Sequence, residues 1–389
     1  MWNKLQQRLQ ARQAQDLLRQ RLTCQSPQSV QLRVAGAQYL NFSSNDYLGL
    51  ANHPKMIEAM TLAAKQYGVG SGASHLIVGH SHEHHALEEE LAKFLGAEKA
   101  LLFSTGFMAN LGVLTALLDK DDLIVQDKLN HASLIDGGLA SAAKMIRYAH
   151  NDMASLQRQL GTDAQSKLMV ADGVFSMDGD LAPLPAMVAI KQKYQSYLMV
   201  DDAHGFGVLG KEGKGTLEHF SLAQDSADIY MATLGKAVGG FGAFVAGSSR
   251  LIESLKQFAR SYIYTTAMPP AVAAANRMGL NLIQQEPERR VALNQNIQLF
   301  REMAASKNLP LMKSETAIQP LLLKQSQLAV DVSQELKANG ILALAIRPPT
   351  VPQNSARLRI TLSADHEPSQ IEQLVNQLAK IVNGKQEGR

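Results

Sequence analysis

The middle of the chain alternates short apolar runs with longer segments in which apolar residues recur at helical spacing. Four runs of consecutive apolar residues predict buried strands, at residues 100–103, 123–125, 168–170 and 198–200. Helical patterns at residues 109–118 and 185–197 lie between them. Strands separated by helices are typical of βαβ units, so we predict a mostly parallel sheet with flanking helices. In such a sheet, chemistry gathers at the carboxyl ends of the strands.

The two ends of the chain predict a second, smaller unit. From about residue 280 onward, long polar helices and a strand at 356–362 indicate a small α/β unit. Residues 1–22 are rich in Gln and Arg, with leucines at roughly helical spacing, and predict an amphipathic helix that packs with that unit. We therefore expect three parts: an N-terminal helix and small-domain segment (1–45), a large domain (46–280) and a small C-terminal α/β domain (281–389).

Composition narrows the class of protein. The 389 residues are 46% hydrophobic and 19% charged, as in a globular protein with ample core. A net charge of +3, with the basic residues scattered, gives no sign of a nucleic-acid partner. Cys24 is the single cysteine, so no disulfide forms within the chain, which favours a reducing, cytoplasmic location. No apolar run approaches the roughly 18 residues that a membrane span needs.

The first segment with candidate chemistry follows the apolar run 198–200. That run leads directly into Asp201, Asp202 and His204. An acid at the carboxyl end of a strand can meet a cation there, and a protonated pyridinium nitrogen is one such cation. The same acids could instead cap a turn, and taken alone the two interpretations are about equal.

The second segment ends in a lysine. The strand-like residues 229–232 lead to Thr233, Gly235 and Lys236, about one strand–helix–strand unit after Asp201. A lysine that forms a Schiff base needs a water-poor site and a depressed pKa, because a protonated amine cannot attack an aldehyde. Thr233 could donate to a phosphate from the same loop. A Gly-Lys pair alone carries little information, since most lysines are solvated at the surface.

The third segment is a strand, a tight turn and a helix start, with the sequence FSTGFMAN at residues 103–110. Backbone amides at the N-terminus of that helix would form a cradle for phosphate. An ordinary strand-to-helix turn is the alternative interpretation.

Together these segments resemble the α-oxoamine synthases, a family of fold-type I enzymes that depend on pyridoxal 5'-phosphate (PLP). The resemblance runs from about Arg19 to Arg359. Its motifs are SNDYLGL (44–50), HAS (131–133), GVFSMDGD (173–180), VDDAHG (200–205), TLGK (233–236) and YTTAMPP (264–270). Six matches in the family's order are a specific signal. The resemblance implies a large domain with a mostly parallel sheet and a smaller C-terminal α/β domain.

The family's pattern also implies roles for single residues around the cofactor. Lys236 would carry PLP as a Schiff base and remove the Cα proton of the amino acid substrate. Asp201 would hold the pyridinium nitrogen, and His131 would stack on the ring and help to position the substrate. The remaining residues implied to contact the cofactor are Gly106, Phe107, Ser176, His204, Thr233 and Thr266, of which Thr266 would reach the phosphate of a neighbouring subunit in a homodimer.

Substrate contacts follow from the same resemblance. Arg359, with Asn45 nearby, would bind the carboxylate of the amino acid, while Arg19 and Thr350 match positions on the acyl side. The segment IRPPTVP (346–352) resembles the branch of the family that condenses L-alanine with a pimeloyl thioester in biotin synthesis. Coenzyme A and acyl carrier protein both remain open as the thiol carrier, and the strictness of alanine over glycine is open too.

Some positions depart from the commonest family pattern. Asp172 stands where many relatives have Glu, Phe206 replaces a frequent Thr, and Ala237 follows the lysine where Gly is frequent. None of these changes removes a catalytic group. They change details of the pocket and leave the reaction class unchanged.

Other motifs in the chain point elsewhere and are set aside. GFGVLG (205–210) matches a dinucleotide fingerprint, but Asp201 to His204 occupy the turn that its first glycine would need. Read as a P-loop, the same stretch has Glu212 where Ser or Thr must ligate magnesium. Four histidines at 80, 82, 84 and 85 suggest a metal, but Ala86 interrupts the zincin spacing, so we expect no metal site. The rival interpretation is a non-catalytic binding protein with the PLP fold. Such a protein needs no electron sink, so the presence of Lys236, Asp201 and His131 favours an enzyme.

Overall fold

The structure is a computed structural model that describes residues 1–14, 17–18 and 21–387. The strands are β1 Gln31–Val34, β2 Ala37–Asn41, β3 Lys99–Phe103, β4 Leu123–Asp127, β5 Lys144–Tyr148, β6 Lys167–Asp172, β7 Tyr197–Asp201, β8 Ile229–Thr233, β9 Ala243–Gly247, β10 Ile318–Lys324, β11 Ile341–Leu342, β12 Leu344–Ile346 and β13 Ala356–Thr361. The helices are α1 Trp2–Ala14, α2 Pro54–Tyr67, α3 His82–Leu95, α4 Gly106–Leu117, α5 Ala132–Ala140, α6 Met153–Leu160, α7 Leu184–Tyr194, α8 Thr216–His219, α9 Ser249–Phe258, α10 Arg260–Ile263, α11 Pro270–Gln285, α12 Glu288–Ser306, α13 Ser326–Ala338 and α14 Pro368–Glu387.

A seven-stranded sheet forms the centre of the molecule, in the order β3-β9-β8-β7-β6-β4-β5. Every pair is parallel except the two that involve β9, which runs antiparallel to β3 and β8. Adjacent residues of one strand enter different hydrophobic clusters, as Leu101 and Leu102 do in β3. Both faces of the sheet are therefore buried, which explains why the strands are continuous apolar runs. The predicted mostly parallel sheet with flanking helices is confirmed.

Two smaller sheets involve the ends of the chain. β10, β13 and β12 form an antiparallel sheet. β2 pairs antiparallel with β1 and parallel with β11, which joins the N-terminal segment to the C-terminal part of the chain. The division at residues 45 and 280 stays a prediction. Part of the helix predicted within residues 1–22 forms as α1, none of whose residues is buried. Its packing against the C-terminal unit stays a prediction.

Two differences from the predicted elements have local causes. The helix predicted at 185–197 is too long at its C-terminal end, because Gln195 adopts a left-handed conformation with φ 48° and Tyr197 already begins β7. β5 and β9 were not predicted. β5 has little apolar character, and β9 follows a glycine-rich stretch that is typical of a loop. No helix in the described part of the chain is long and apolar enough to cross a bilayer.

Candidate active site

Most of the predicted site residues surround one cavity at the carboxyl ends of the central strands. The cavity has a volume of about 180 Å³. It is lined by Gly106, Phe107, Asn110, His131, Ser133, Asp172, Val174, Ser176, Asp201, Ala203, His204, Met231, Thr233 and Lys236. These residues come from turns after β3, β4, β6, β7 and β8, so the parallel topology brings together positions that are far apart in the sequence.

Asp201 ends β7 as a buried carboxylate with fixed partners. Asn110 Nδ2 donates to Asp201 Oδ2 over 2.7 Å, and the backbone amide of Ala203 donates to Oδ1 over 3.1 Å. Asp201 is opposite Asp172 in the register of β6 and β7. Burial and the neighbouring Asp201 raise the pKa of Asp172 well above its ordinary value. Asp172 therefore favours its protonated form, while Asp201 beside it accepts hydrogen bonds from Asn110 and Ala203.

Lys236 lies in the same cavity and is held by a histidine. Its Nζ is 2.8 Å from His204 Nε2, and His204 Nδ1 is 2.7 Å from the hydroxyl of Tyr47. Because Tyr47 donates its own proton to Asn45 Oδ1 over 3.2 Å, His204 Nδ1 carries the proton toward Tyr47 and Nε2 accepts from the lysine. Burial lowers the pKa of His204 well below its usual value, in keeping with a neutral ring. Burial also lowers the pKa of Lys236 to about 8, although Asp201 acts in the opposite direction.

His131 begins α5 and faces the cavity. Its Nδ1 is 2.7 Å from Ser133 Oγ, and its backbone amide donates to Asp172 Oδ2 over 3.1 Å. Burial lowers the pKa of the His131 imidazole, although nearby Asp201 opposes the change. A ring held at both its side chain and its backbone is well placed to pack against a flat ligand.

The start of α4 has the features of a phosphate cradle. Thr105 caps the helix by accepting from the backbone amide of Met108 over 3.1 Å. Thr233 Oγ1 is buried and has no hydrogen-bond partner among the described residues. A Cβ atom built on Gly106 would lie 2.9 Å from Thr233 Cγ2, so only glycine leaves this space open. An orphaned hydroxyl beside a helix N-terminus fits the phosphate of PLP.

Arg359 and Asn45 meet at the edge of the same region, as predicted. Arg359, on β13, donates through Nε to the carbonyl of Ser176 over 2.6 Å and through Nη2 to Asn45 Oδ1 over 3.1 Å. The guanidinium is nearly buried and is fixed at two points. A planar, always charged group in a fixed orientation suits recognition of a carboxylate.

Among the predicted residues that lie away from Arg359 and Asn45, Thr266 and Thr350 do not line this cavity. Thr266 is exposed, and its segment pairs with Ser74 in an isolated bridge. Thr350 is exposed in the turn between β12 and β13, where its backbone amide donates to Arg347. Arg19 lies outside the described residues. All three had been expected either at a subunit boundary or on the acyl side of the site.

Sequence reasoning missed four residues that complete the site: Tyr47, Asn110, Ser133 and Asp172. All four lie within or beside the motifs SNDYLGL, FSTGFMAN, HAS and GVFSMDGD, so their positions were visible. Their roles were not visible, because each depends on a partner that is distant in the sequence. Asn110, for example, contacts Asp201 across 91 positions.

A half-buried lysine, a carboxylate fixed in the same cavity and a phosphate cradle on a mostly parallel sheet together define a PLP-dependent enzyme of fold type I. The sequence profile of the family described as "Aminotransferase class I and II" matches residues 37–378. A structure of SPT with PLP superposes with a TM-score of 0.94 at 28% identity, covering 99% of this chain and 98% of that one. PLP is thus the cofactor of this fold, as predicted.

Comparison with individual relatives places the chain in a narrower group within this family. An 8-amino-7-oxononanoate synthase of Cellvibrio japonicus is 56% identical over 376 residues, which cover 96% of this chain and 94% of that protein. The crystal structure of 8-amino-7-oxononanoate synthase from Francisella tularensis superposes with a TM-score of 0.79 at 35% identity, covering 89% of this chain and 98% of that one. The chain belongs to the 8-amino-7-oxononanoate synthases, within the aminotransferase class I and II family. The predicted relationship to the biotin branch is confirmed.

Proposed function

We propose that the chain condenses L-alanine with a pimeloyl thioester, with loss of carbon dioxide, to give 8-amino-7-oxononanoate for biotin synthesis. The observation that carries this proposal is the cavity in which Lys236, with a pKa lowered to about 8, faces the fixed carboxylate of Asp201. The names of the relatives support the product.

The proposed roles of the chain's own residues follow from their contacts. Arg359 and Asn45 bind the carboxylate of alanine and set its orientation. Lys236, released as a neutral amine, takes the proton from the alanine Cα and later returns one. When bound, PLP supplies an electron sink for the charge left on that carbon, and Asp201 keeps the sink effective by holding the pyridinium proton.

The bond changes balance when solvent supplies one proton. The alanine Cα forms a bond to the acyl carbon of the thioester, and the carbon–sulfur bond breaks to release a thiolate, which takes a proton from solvent. The carboxylate of alanine then departs as carbon dioxide, and Lys236 protonates the carbon that remains. We propose that His131 packs over the ring and positions the acyl substrate, while the partly exposed Phe107 shields the reacting carbon from water.

We further propose that the enzyme acts as a homodimer in which Thr266 contacts the phosphate bound to the neighbouring subunit. Thr266 is exposed and does not line the cavity of its own chain, which supports a role toward a neighbour. An apolar surface close to it in the fold supports this arrangement. Leu76, Ile77 and Val78 are 47%, 73% and 81% exposed, and Ser74 just before them pairs with Thr266.

The acyl carrier and the location remain parts of the proposal. Either coenzyme A or acyl carrier protein would supply the pimeloyl group, with Arg19 and Thr350 proposed on the acyl side. We propose a cytoplasmic location, which suits the single free and exposed Cys24.

One assay tests the proposed function directly. Purified enzyme loaded with PLP is supplied with alanine, glycine or serine, and with pimeloyl, acetyl, succinyl or palmitoyl thioesters on each carrier. We expect product and carbon dioxide only with alanine and a pimeloyl thioester. Turnover of glycine with an acetyl or succinyl thioester, and none of alanine, would contradict the proposal. Lys236→Ala is the inactive control.

A further inference from the structure

A cluster of histidines lies at the N-terminal end of α3, away from the cofactor cavity. One turn of π-helix at His75–Gly79 leads to His80, and α3 begins two residues later. His75 Nδ1 and His80 Nδ1 are 2.9 Å apart. On its other side, His80 Nε2 faces Glu88 Oε2 at 4.0 Å, and His85 lies beside them on the first turn of α3.

Glu88 is a buried carboxylate with one oxygen unused. The backbone amide of Leu102 donates to Oε1 over 2.9 Å. Within the described chain, Oε2 receives no hydrogen bond, and its distance of 4.0 Å from His80 Nε2 is too long for one. The residue as a whole is only 9% exposed, and Oε2 keeps some access to solvent. A glutamate oxygen with no donor among its protein neighbours can serve as a ligand for zinc.

We propose that His80, His85 and Glu88 bind a divalent transition-metal ion of the zinc class. Their three ligand atoms all lie within 4.8 Å of one another. A zinc ion about 2.0–2.2 Å from each ligand keeps ligand atoms roughly 3.3 Å apart, so small side-chain rotations close the site. Two imidazole nitrogens and one carboxylate oxygen form a ligand set that zinc uses in proteins, with water completing the coordination.

The surrounding contacts orient His80 for this role. His75 stacks on Tyr262, with ring centroids 5.2 Å apart, and its Nδ1 engages the Nδ1 of His80. A hydrogen bond at one ring nitrogen is what fixes the tautomer and direction of a metal-binding histidine. With Nδ1 engaged by His75, the lone pair of His80 Nε2 points toward Glu88.

His84, although adjacent, is excluded as a ligand because both of its ring nitrogens are used. Nδ1 accepts from the backbone amide of Ser81 over 3.0 Å, and Nε2 donates to the carbonyl of Met268 over 2.7 Å. His85 is different, since its ring is mostly exposed and its only ion-pair partner in the described chain is Glu89 at 3.3 Å. It can therefore turn toward His80 at little cost.

A lysine also lies near this group of ligands. Lys256 Nζ is 3.2 Å from Glu253 Oε1 and engages that carboxylate instead of Glu88.

The sequence had favoured no metal here because Ala86 interrupts the spacing of two histidines on one helix. That argument considered only ligands carried by a helix. His80 lies before the helix, and the π-helical turn places it over the side chain of Glu88. Spacing along the sequence does not reveal this arrangement.

Metal binding is tested on tag-free enzyme loaded with PLP, in a Cys24→Ser background that removes the single thiol. Zn²⁺ affinity is measured by competition with a chromophoric chelator, and stoichiometry by mass spectrometry under native conditions. We expect one tight zinc ion per chain. Glu88→Gln and His85→Ala should each weaken binding at least about tenfold, and His75→Phe by about tenfold through loss of orientation. His82→Ala, an exposed histidine on the same helix, should leave the affinity unchanged.

Co²⁺ provides a second measurement that is independent of enzyme activity. Bound to nitrogen and oxygen ligands, it should give visible absorption bands that disappear in His85→Ala, a variant of an exposed side chain that should fold normally. The proposal is overturned if wild type binds no more zinc than His85→Ala, or if His82→Ala weakens binding as much as Glu88→Gln. Neither result would bear on the condensation reaction, whose assay needs no added metal.

Discussion

Lys236 illustrates how a single environment sets reactivity at the scale of one residue. Burial lowers the pKa of its amine to about 8, while Asp201 raises it and Arg359 lowers it further. The balance leaves a substantial neutral fraction near physiological pH. Only the neutral amine attacks an aldehyde, so the pKa should be visible in the rate at which the apo-protein captures its cofactor.

We expect the rate of PLP capture by apo-enzyme to rise about tenfold per pH unit below pH 8 and to level off above it. Stopped-flow absorbance of the bound cofactor measures the rate. In Asp201→Asn, loss of the raising charge should move the midpoint to lower pH. A midpoint near 10 in both proteins would contradict the assigned environment of Lys236.

Arg359 offers a second test at this scale. Its guanidinium donates to Ser176 and Asn45 from different nitrogens, a geometry that a lysine cannot reproduce. We expect Arg359→Lys to raise the KM for alanine roughly 10- to 100-fold, about 1.4–2.7 kcal/mol of lost binding, with a smaller change in kcat. Steady-state kinetics at saturating thioester give the two constants. Arg357→Lys is the matched control, because Arg357 bonds to Asp178 instead.

The sequence was enough to single out the main candidate site residues, but it did not reveal the contacts that hold them in place. Lys236, Asp201, His131 and Arg359 stand in motifs that single them out. The hydrogen bond from Asn110 to Asp201 arises only when α4 packs against the central sheet, where it contacts β8 and β9. Such a contact joins positions that have no pattern in common along the chain.

At the scale of elements, the loop between β6 and α7 connects the site to two strands. Ser176 lies on this loop. The end of the loop nearer α7 is fixed at Asp180 by His150, which follows β5. His150 Nδ1 is 3.0 Å from Asp127 Oδ1, at the end of β4, and Nε2 is 2.8 Å from Asp180 Oδ2. The hydrogen bonds that His150 donates to the two carboxylates outweigh the effect of burial and raise the pKa of His150 to about 10.

The imidazolium of His150 should therefore stabilise the fold in a pH-dependent way. Because its pKa is raised on folding, the stabilisation is complete below the ordinary value of 6.5 and is lost as pH rises toward 10. We expect the urea midpoint of wild type to fall between pH 6.5 and 9.5, and His150→Gln to be destabilised by about 1–3 kcal/mol at the lower pH with a flatter pH dependence. Unfolding at fixed protein concentration measures both.

His219, an exposed histidine on α8, gives the control variant His219→Gln, which should keep the wild-type pH dependence. If the urea midpoint changed equally with pH in wild type, His150→Gln and His219→Gln, His150 would not be the group responsible for the pH dependence. A rise in the KM of His150→Gln for alanine would indicate in addition that the loop transmits the change to Ser176 and Arg359.

The elements themselves were predictable to different degrees. β3, β4, β6 and β7 are buried on both faces, and their apolar runs are visible in the sequence. β5 has the sequence KMIRY and lies at an edge of the sheet, so burial did not select an apolar run there. The antiparallel course of β9 follows from the short return after Gly239 and Gly240, a reversal that apolar periodicity does not encode.

At the scale of the whole molecule, an exposed apolar surface near the site needs explanation. Ile77 and Val78 project from the π-helical turn, and Tyr264 is exposed on the segment that carries Thr266. Exposed large apolar side chains on two segments that are bridged through Ser74 and Thr266 are typical of a protein–protein interface. If a second copy covers it, dimerisation and cofactor binding are coupled, because the proposed phosphate contact of Thr266 exists only in the dimer.

We expect the double variant Ile77→Asp/Val78→Asp to be largely monomeric, since two buried charges would oppose association. Its affinity for PLP should fall about tenfold or more, because the contact from the neighbouring Thr266 is lost. Thr266→Ala should lower PLP affinity while remaining dimeric. Sedimentation velocity measures the oligomeric state, and equilibrium dialysis measures the cofactor affinity.

Val291, which is 55% exposed on α12, supplies the control for adding a charge to an exposed apolar position. Val291→Asp should behave as wild type in both measurements. If Thr266 contacts the phosphate of the neighbouring subunit, the oligomeric state and the PLP affinity must change together in the double variant. A monomer that binds PLP with wild-type affinity would show that each chain completes its own phosphate site, and Thr266 would then have no role toward a neighbour.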